Sequence, residues 1–447
     1  MVLKRQLFYP MRFMMRLIAG AWLVGWTAMG SGLSDFSCLS PTALVATQDG
    51  KTLFVACATA NRVLCFDVAA KKVTASVAMP LPPSGLALSR DGRQLFVTCA
   101  APESQVCIVD VAKLKITATI AVGHTAIAPV ISPDGKTLYV CNQFNNDVSI
   151  VDLAAKKEVR RIAVLRDPVA ADVSKDGKYL LVANQLPAGR ADLDYDAAAV
   201  SVIDLAAGKV IKEIHMINGS GSLKDIRISP DGKFAAVTHL VGWHKQPTKS
   251  VNFGRMHGNA VTLINVARLE VDYVFQLDTL KSGAGNPWGL AWSADGSKLA
   301  VVSAGIHEVS IFDFPALLDE LARRPEDLDP VAQGSFGYKP AVGGDSGGYI
   351  PFLPKAGQRV KLTGTDLGPR AVIVVGNTVY TANYFSDTLS AIDLAPPSFR
   401  PNPCRSAPSR KWTWCGRGSF IFMTQPFVCR AGRVVRAVIP ATRAWTA

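Results

Sequence analysis

Acidic residues are absent from both ends of this chain. None precedes Asp35 and none follows Asp393, although four bases stand before the first and nine after the second. Setting those aside leaves 35 bases against 35 acids in between, so the formal net charge of +13 belongs to the ends alone. A neutral middle lacks the basic face that phosphate attraction requires, which excludes a nucleic-acid interface on the folded part. Histidine is scarce, at six residues. No two cysteines stand in a CxxC, CxxCH or zinc-ligand spacing, which excludes a zinc module and covalent haem attachment as written. After Met29 no apolar run approaches the roughly 20 residues of a membrane-spanning helix.

What is present begins with a leader. Residues 1–34 carry a basic lead, an apolar run from Leu17 to Met29 and then small residues, the pattern of a secretory signal peptide. Export to the periplasm or cell surface is the expectation, and an uncleaved anchor is the alternative. Nine cysteines are compatible with that compartment. Cys57 and Cys65 flank one predicted hairpin, and Cys99 and Cys107 flank the next with the same gap. Each pair is either a cross-hairpin disulfide or two buried thiols.

The strongest signal is internal repetition. "SGLALSRDGRQLFVTCAAPESQVCIVDVAKLKITATIAV" and "APVISPDGKTLYVCNQFNNDVSIVDLAAKKEVRRIAV" are two of seven similar units between residues 39 and 395. Six units carry Asp-Gly between apolar runs (Asp49-Gly50, Asp91-Gly92, Asp134-Gly135, Asp176-Gly177, Asp231-Gly232 and Asp295-Gly296), and the seventh has Gly376-Asn377. Such pairs join two strands through a two-residue turn. Runs such as "TLFVAC" and "VSIVDL" are apolar on both faces, so each small sheet is covered on both sides. Sheets stacked radially provide that cover, and the fold class follows: all-β, a closed seven-bladed β-propeller of four-stranded antiparallel blades. The acid ending each third strand (Asp67, Asp110, Asp152, Asp204, Asp313 and Asp393, with Asn265 as the exception) is expected to cap the following turn.

"LYVCNQFNNDVSIVDLAAKKEVRRIAV" resembles the YVTN-type propeller repeat, a likeness that covers about Leu39 to Leu394 and specifies fold more than function. Two insertions, residues 238–258 and 315–365, interrupt the pattern, and long excursions from a rigid scaffold are where binding resides. His239, His244, Arg255 and His257 fall in the first, and His124 lies between blades. These five are the candidate ligand- or partner-binding residues, with no metal expected because the histidine spacing fits no metal motif. Trp288 and Trp292 are expected to pack between blades. "GDSGG" at residues 344–348 matches the nucleophile motif of trypsin-like proteases, but nothing here resembles their histidine motif. A propeller hydrolase of the lactonase type is the alternative function.

Residues 396–447 break the pattern, with bases and tryptophans but no acid and no hydrophobic period. Reading the third base of each codon with the first two of the next forces aspartate across Trp412-Thr413, Met423-Thr424 and Trp445-Thr446, and valine across Trp414-Cys415. Degenerate codons elsewhere permit a string containing CASCH, the attachment motif of a c-type haem. That string resembles the start of the di-haem cytochrome c peroxidase-like domain that follows YVTN propellers in some exported bacterial proteins. The resemblance implies a frameshift near Pro396, an unstructured tail and a seventh blade without its outer strand. It further implies a binding or scaffold module whose intact relatives carry c-type haem, with no cofactor held by this chain as written and a haem domain or other protein as partner.

Overall fold

The computed structural model describes residues 38–242, 257–279, 281–323, 350–394 and the strand 410–413. The chain divides into residues 1–36 and residues 37–447. The first unit, with the expected leader, lies outside the described residues, as do most of the tail and "GDSGG".

Seven four-stranded antiparallel sheets form, each with its strands in sequence order. The blades occupy residues 41–78, 83–121, 126–163, 168–215, 220–276, 287–361, and 369–393 with 410–413. First strands of successive blades neighbour one another around the hub, and that of blade 7 neighbours that of blade 1. Proline opens five of the seven, at Pro41, Pro83, Pro168, Pro287 and Pro369, a strand position that needs no ladder N–H. Close approach at the hub requires glycine at Gly289, where a Cβ would sit 2.5 Å from the Arg370 carbonyl oxygen of the next blade. Second and third strands are buried almost throughout, as in Thr52–Cys57 and Arg62–Asp67, whereas fourth strands such as Lys72–Ala78 alternate toward water. The period of two thus survives only where one face is wet.

The Asp-Gly turns are longer than two residues. In blade 2 Ser89 N donates to Gln94 O at 2.8 Å and Gly92 N to Ser89 O at 2.9 Å, so residues 90–93 span the gap. Only Gly92 takes a positive φ, 70°. Asp91 serves a different purpose. Its carboxylate accepts from the Ser89 hydroxyl at 2.6 Å and from Arg93 N at 3.1 Å, bonds that pull its pKa below the usual value. The same serine or threonine bond recurs at Asp49, Asp134, Asp176, Asp231 and Asp295. A two-residue turn would need positive φ at both positions and would forfeit it.

Five of the acids ending third strands cap as expected. Asp67 accepts from Ala70 N at 2.7 Å, Asp110 from Lys113 N at 2.9 Å and Asp204 from Ala207 N at 2.9 Å. Asp313 caps the helix Phe314–Ala322, accepting from Ala316 N at 3.2 Å, with Pro315 in the first turn.

A buried polar line crosses several blades. Asn142, Asn184 and Asn383, each ending a second strand, donate to Ser149, Ser201 and Ser390 of the third at 2.7, 2.9 and 2.8 Å. Those serines donate onward to a carboxylate: Glu158 in blade 3, and Glu213 at 2.8 Å in blade 4, both on the fourth strand. In blade 7 the carboxylate is Asp366, from the link before the blade, at 3.0 Å. The outer edge of that blade, expected to stand open, is paired. Arg410–Thr413 runs antiparallel to Thr388–Asp393, with Thr388 opposite Thr413. Backbone pairing asks little of side-chain identity, so a segment without the repeat's pattern can still satisfy an exposed ladder.

The two cysteine pairs separate. Cys57 stands opposite Arg62 but Cys99 stands opposite Gln105, so the second hairpin loop is one residue longer, and one residue reverses the face to which a side chain points. Cys57 joins the cluster between blades 7 and 1 while Cys65 joins that between blades 1 and 2, which excludes a bond between them. Cys99 and Cys107 share a face, with sulfurs 3.8 Å apart as thiols. Exposure to a mild oxidant should join Cys99 to Cys107 and leave Cys57 and Cys65 alkylatable after unfolding. Peptide mass mapping of non-reduced digests checks this, and a Cys57–Cys65 peptide would contradict it.

Candidate functional site

In a meander of four strands, the turns between second and third strands and the links between blades share one end of the propeller. The Asp-Gly turns and those after third strands share the other. Several sequence features converge on the first end, called here the link face.

Blade 4 has an insertion there, residues 185–198, and blade 5 extends both middle strands, Phe234–Gly242 and His257–Asn265, with Gly242 opposite His257. The insertion expected to begin at residue 238 is therefore a strand for its first five residues. The second insertion, expected over 315–365, begins with the helix and contains the fourth strand of blade 6, Gly357–Lys361. Its returning limb reaches the blade 5 extension, where Ile350 packs with Val241 and Ala260 and Pro351 O accepts from Gln276 N at 2.8 Å.

The same face carries a stitch between blades. Asn146 Oδ1 accepts from Asp167 N at 2.8 Å, His307 Nδ1 from Gly368 N at 2.9 Å, and Asp387 Oδ1 from Ser40 N at 2.7 Å. All three turn residues hold positive φ, which aims a short polar side chain at the next link. The last of them closes the ring from blade 7 to blade 1.

At the hub, the first strands of blades 5, 6 and 7 place Lys224, Trp288 and Arg370 at the link-face end of the channel. Lys224 Nζ lies 4.7 Å and Arg370 Cζ 4.4 Å from the Trp288 ring centre, and Arg370 Cζ lies 3.6 Å from that of Tyr384 and 5.3 Å from that of Phe385. Lys224 donates to Gln185 Oε1 at 2.6 Å, and Gln185 Nε2 donates to Asp167 Oδ2 at 3.0 Å. Deeper along the hub, Arg227 Nε lies 3.3 Å from Asp225 Oδ1, with Asp172 also in its field. Asp225 accepts from Leu290 N at 3.1 Å and Asp172 from Ile228 N at 2.8 Å, so the two acids bridge blades 4, 5 and 6. Burial raises the pKa of both acids, against the pull of Arg227.

Of the five residues expected to bind, the three that the structure describes stand apart from one another. His239 is a core residue of blade 5, fully buried, with Nε2 2.7 Å from Thr262 Oγ1 and Nδ1 3.3 Å from Leu240 O. Burial drives its pKa down to about 4. Its apparent place in an insertion reflects the extension of the strands, which the repeat pattern does not encode. His257 is exposed at the start of the extended strand, and His124 stands edge-on to Phe144, with Nδ1 2.8 Å from Thr125 Oγ1. His244 and Arg255 lie outside the described residues. Trp292 packs as expected, at 4.6 Å from Phe314 and donating to Arg227 O. Trp288 does more than pack, because two cations meet on it.

The Cytochrome D1 heme domain family matches residues 90–197, which run from blade 2 into blade 4. A curated relative, hydrazine synthase subunit beta of Kuenenia stuttgartiensis, is 32% identical over 206 residues, 44% of this chain. The chain covers about half of that relative's length, 47%. A solved structure of Kuenenia stuttgartiensis hydrazine synthase superposes with a TM-score of 0.68 at 28% identity, covering 83% of this chain and 99% of that one. The chain is thus similar to a cytochrome D1-like propeller that forms one subunit of an enzyme. In the family-matched stretch the cysteines, Cys99, Cys107 and Cys141, are buried in blade cores, and His124 is the one imidazole.

Proposed function

We propose that this protein is an exported propeller that serves as a binding and scaffold module, docking a haem-bearing partner through its link face and performing no redox step itself. One observation carries the reading. Of the six large apolar side chains that stand exposed among the described residues, Phe144, Leu193, Tyr195 and Phe385 lie in turns of the link face, the end that also carries the extended hairpin of blade 5. Apolar groups offered on one rigid end, amid insertions, suit a protein interface. The similarity to a subunit of a multi-chain enzyme supports the same reading.

In its finer form, the partner is a c-type di-haem peroxidase-like domain encoded out of frame after Pro396. Resequencing that codon and restoring the frame tests it. In a host that matures c-type cytochromes, the restored gene should yield a covalently haem-stained protein, and cross-linking should join its haem domain to the link face. The chain as written should show no Soret band and hydrolyse no lactone. An absent CxxCH frame, cross-links confined to the Asp-Gly end, or lactone turnover would each overturn the reading, and turnover would favour the hydrolase alternative.

A further inference from the structure

The sulfurs of Cys99 and Cys107 meet, 3.8 Å apart in the thiol form. In the register of blade 2, Cys99 stands opposite Gln105 and Val97 opposite Cys107, so the two cysteines are diagonal neighbours on one face of the sheet. That face is dry. Both thiols are wholly buried in the cluster between blades 1 and 2 that includes Val63, Val77, Met79 and Leu95, and the Leu81 N–H of the link before blade 2 lies against the Cys99 sulfur. Burial alone makes a thiol resist ionisation, and it pushes Cys57 and Cys141, which belong to other clusters, up to about 12. The pair differs because a thiol can stabilise a thiolate beside it. A bond from Cys99 holds Cys107 below its ordinary value, and the same bond together with burial raises Cys99, which keeps the remaining proton. One proton therefore leaves the pair more easily than the second, and the pair that has lost it carries a single negative charge.

We propose that Cys99 and Cys107 bind one soft monovalent metal ion of the copper(I) class between their sulfurs. Thiolate sulfur is the ligand that such an ion selects. Two sulfurs suffice, because a closed-shell monovalent ion takes a two-coordinate shell, linear or bent. Zinc requires four ligands, and among the described residues no three histidine, cysteine or acidic side chains gather to hold a metal. With metal–sulfur bonds of about 2.3 Å, as in zinc thiolates, two sulfurs bridged by one ion stand at most about 4.6 Å apart. A separation of 3.8 Å therefore gives a bent bridge. Charge decides between ions. Binding releases one proton to solvent and leaves the copper as copper(I), so that thiolate, thiol and ion sum to zero, the total that a dry core tolerates without a large penalty. A divalent ion would have to displace the second, tightly held proton to reach the same total.

The probe is copper(I) itself. Reduced protein carrying Cys38→Ser, Cys404→Ser, Cys415→Ser and Cys429→Ser, which removes the thiols before and after the repeats, is incubated for hours without oxygen with copper(I) buffered by excess bicinchoninate, and is then desalted. The long incubation allows for the burial of the pair. Native mass spectrometry should find one copper per chain, and X-ray absorption at the copper edge should show two sulfur neighbours. In competition with the chelator, Cys99→Ala and Cys107→Ala should each weaken binding by about a hundredfold or more, whereas Cys65→Ala and Cys141→Ala should leave it unchanged. Zinc(II) should wash away. Protein in which an oxidant has already joined Cys99 to Cys107 should take up no copper. Should an alanine variant fail to fold, the absorption edge and the oxidised protein carry the test. No retained copper, equal retention after either Cys99→Ala or Cys107→Ala, or nitrogen and oxygen neighbours in place of sulfur would overturn the site. Equal retention of zinc would overturn the assignment to a monovalent ion.

Discussion

Replacing Arg227 with leucine should destabilise the protein by about 2–3 kcal/mol at pH 7, an effect that shrinks as the pH falls. Removing one member of a buried ion network leaves uncompensated charge, a loss of roughly 3–5 kcal/mol in dry interiors. The lower figure applies here because the Arg227 side chain is 46% exposed to the channel, whereas that of Asp225 is 12% exposed. Two carboxylates depend on this guanidinium, and both already bear raised pKa values from burial. Without the cation those values rise further. A raised folded pKa means that the folded variant holds protons more tightly than the unfolded chain, so its deficit is greatest above the folded pKa and fades below it. Urea titrations of wild type and variant at pH 7 and pH 4.5 check both statements. A deficit that does not change with pH would mean that Arg227 contributes packing rather than charge.

Wild type should itself lose stability as the pH drops from 7 toward 4, and His239 should account for about 3 kcal/mol of that loss. Its folded pKa, about 4, lies below the value of about 6.5 expected in an unfolded chain. A depressed pKa contributes stability that is complete above the unfolded value and is lost as pH falls toward the folded one. The cause is visible in the geometry. Nδ1 faces a carbonyl, so Nε2 accepts the Thr262 hydroxyl, and a second ring proton would have to displace that bond in a fully buried strand. His239→Asn should start less stable at pH 7 and then fall less steeply. Comparing the slopes of the two proteins isolates this residue from the other groups that titrate. Parallel slopes would contradict the assignment.

How much of this was legible in the sequence varies by element. The blades were, because an apolar run, a glycine with positive φ and a capping acid recur at fixed spacing, and each acts within about forty residues. Asp-Gly alone predicts a two-residue turn, and the signal for the longer one is the serine or threonine two residues before the aspartate. The cysteines show the limit of counting: the gap is the same in both hairpins, but the position of the loop residues differs by one, and a sheet reads that difference as opposite faces. His239 falls in an apparent insertion because nothing in the repeat pattern announces that two strands of blade 5 run longer. Asp366 gave no signal because it stands in a link, whereas in blades 3 and 4 the corresponding carboxylate is on the fourth strand.

By itself the sequence determined seven units, their internal order of strands, their buried middle strands and their capped turns, all of which follow from short-range spacing and hydrophobic period. Ring closure decided the rest. Lys224, Gln185, Trp288, Arg370 and Tyr384 come from four blades and up to 199 positions apart in the chain, and none is a residue type that recurs from unit to unit at its position. They meet because a closed ring brings the corresponding end of every first strand to one mouth, a juxtaposition set by the angle between blades and not by any spacing along the chain.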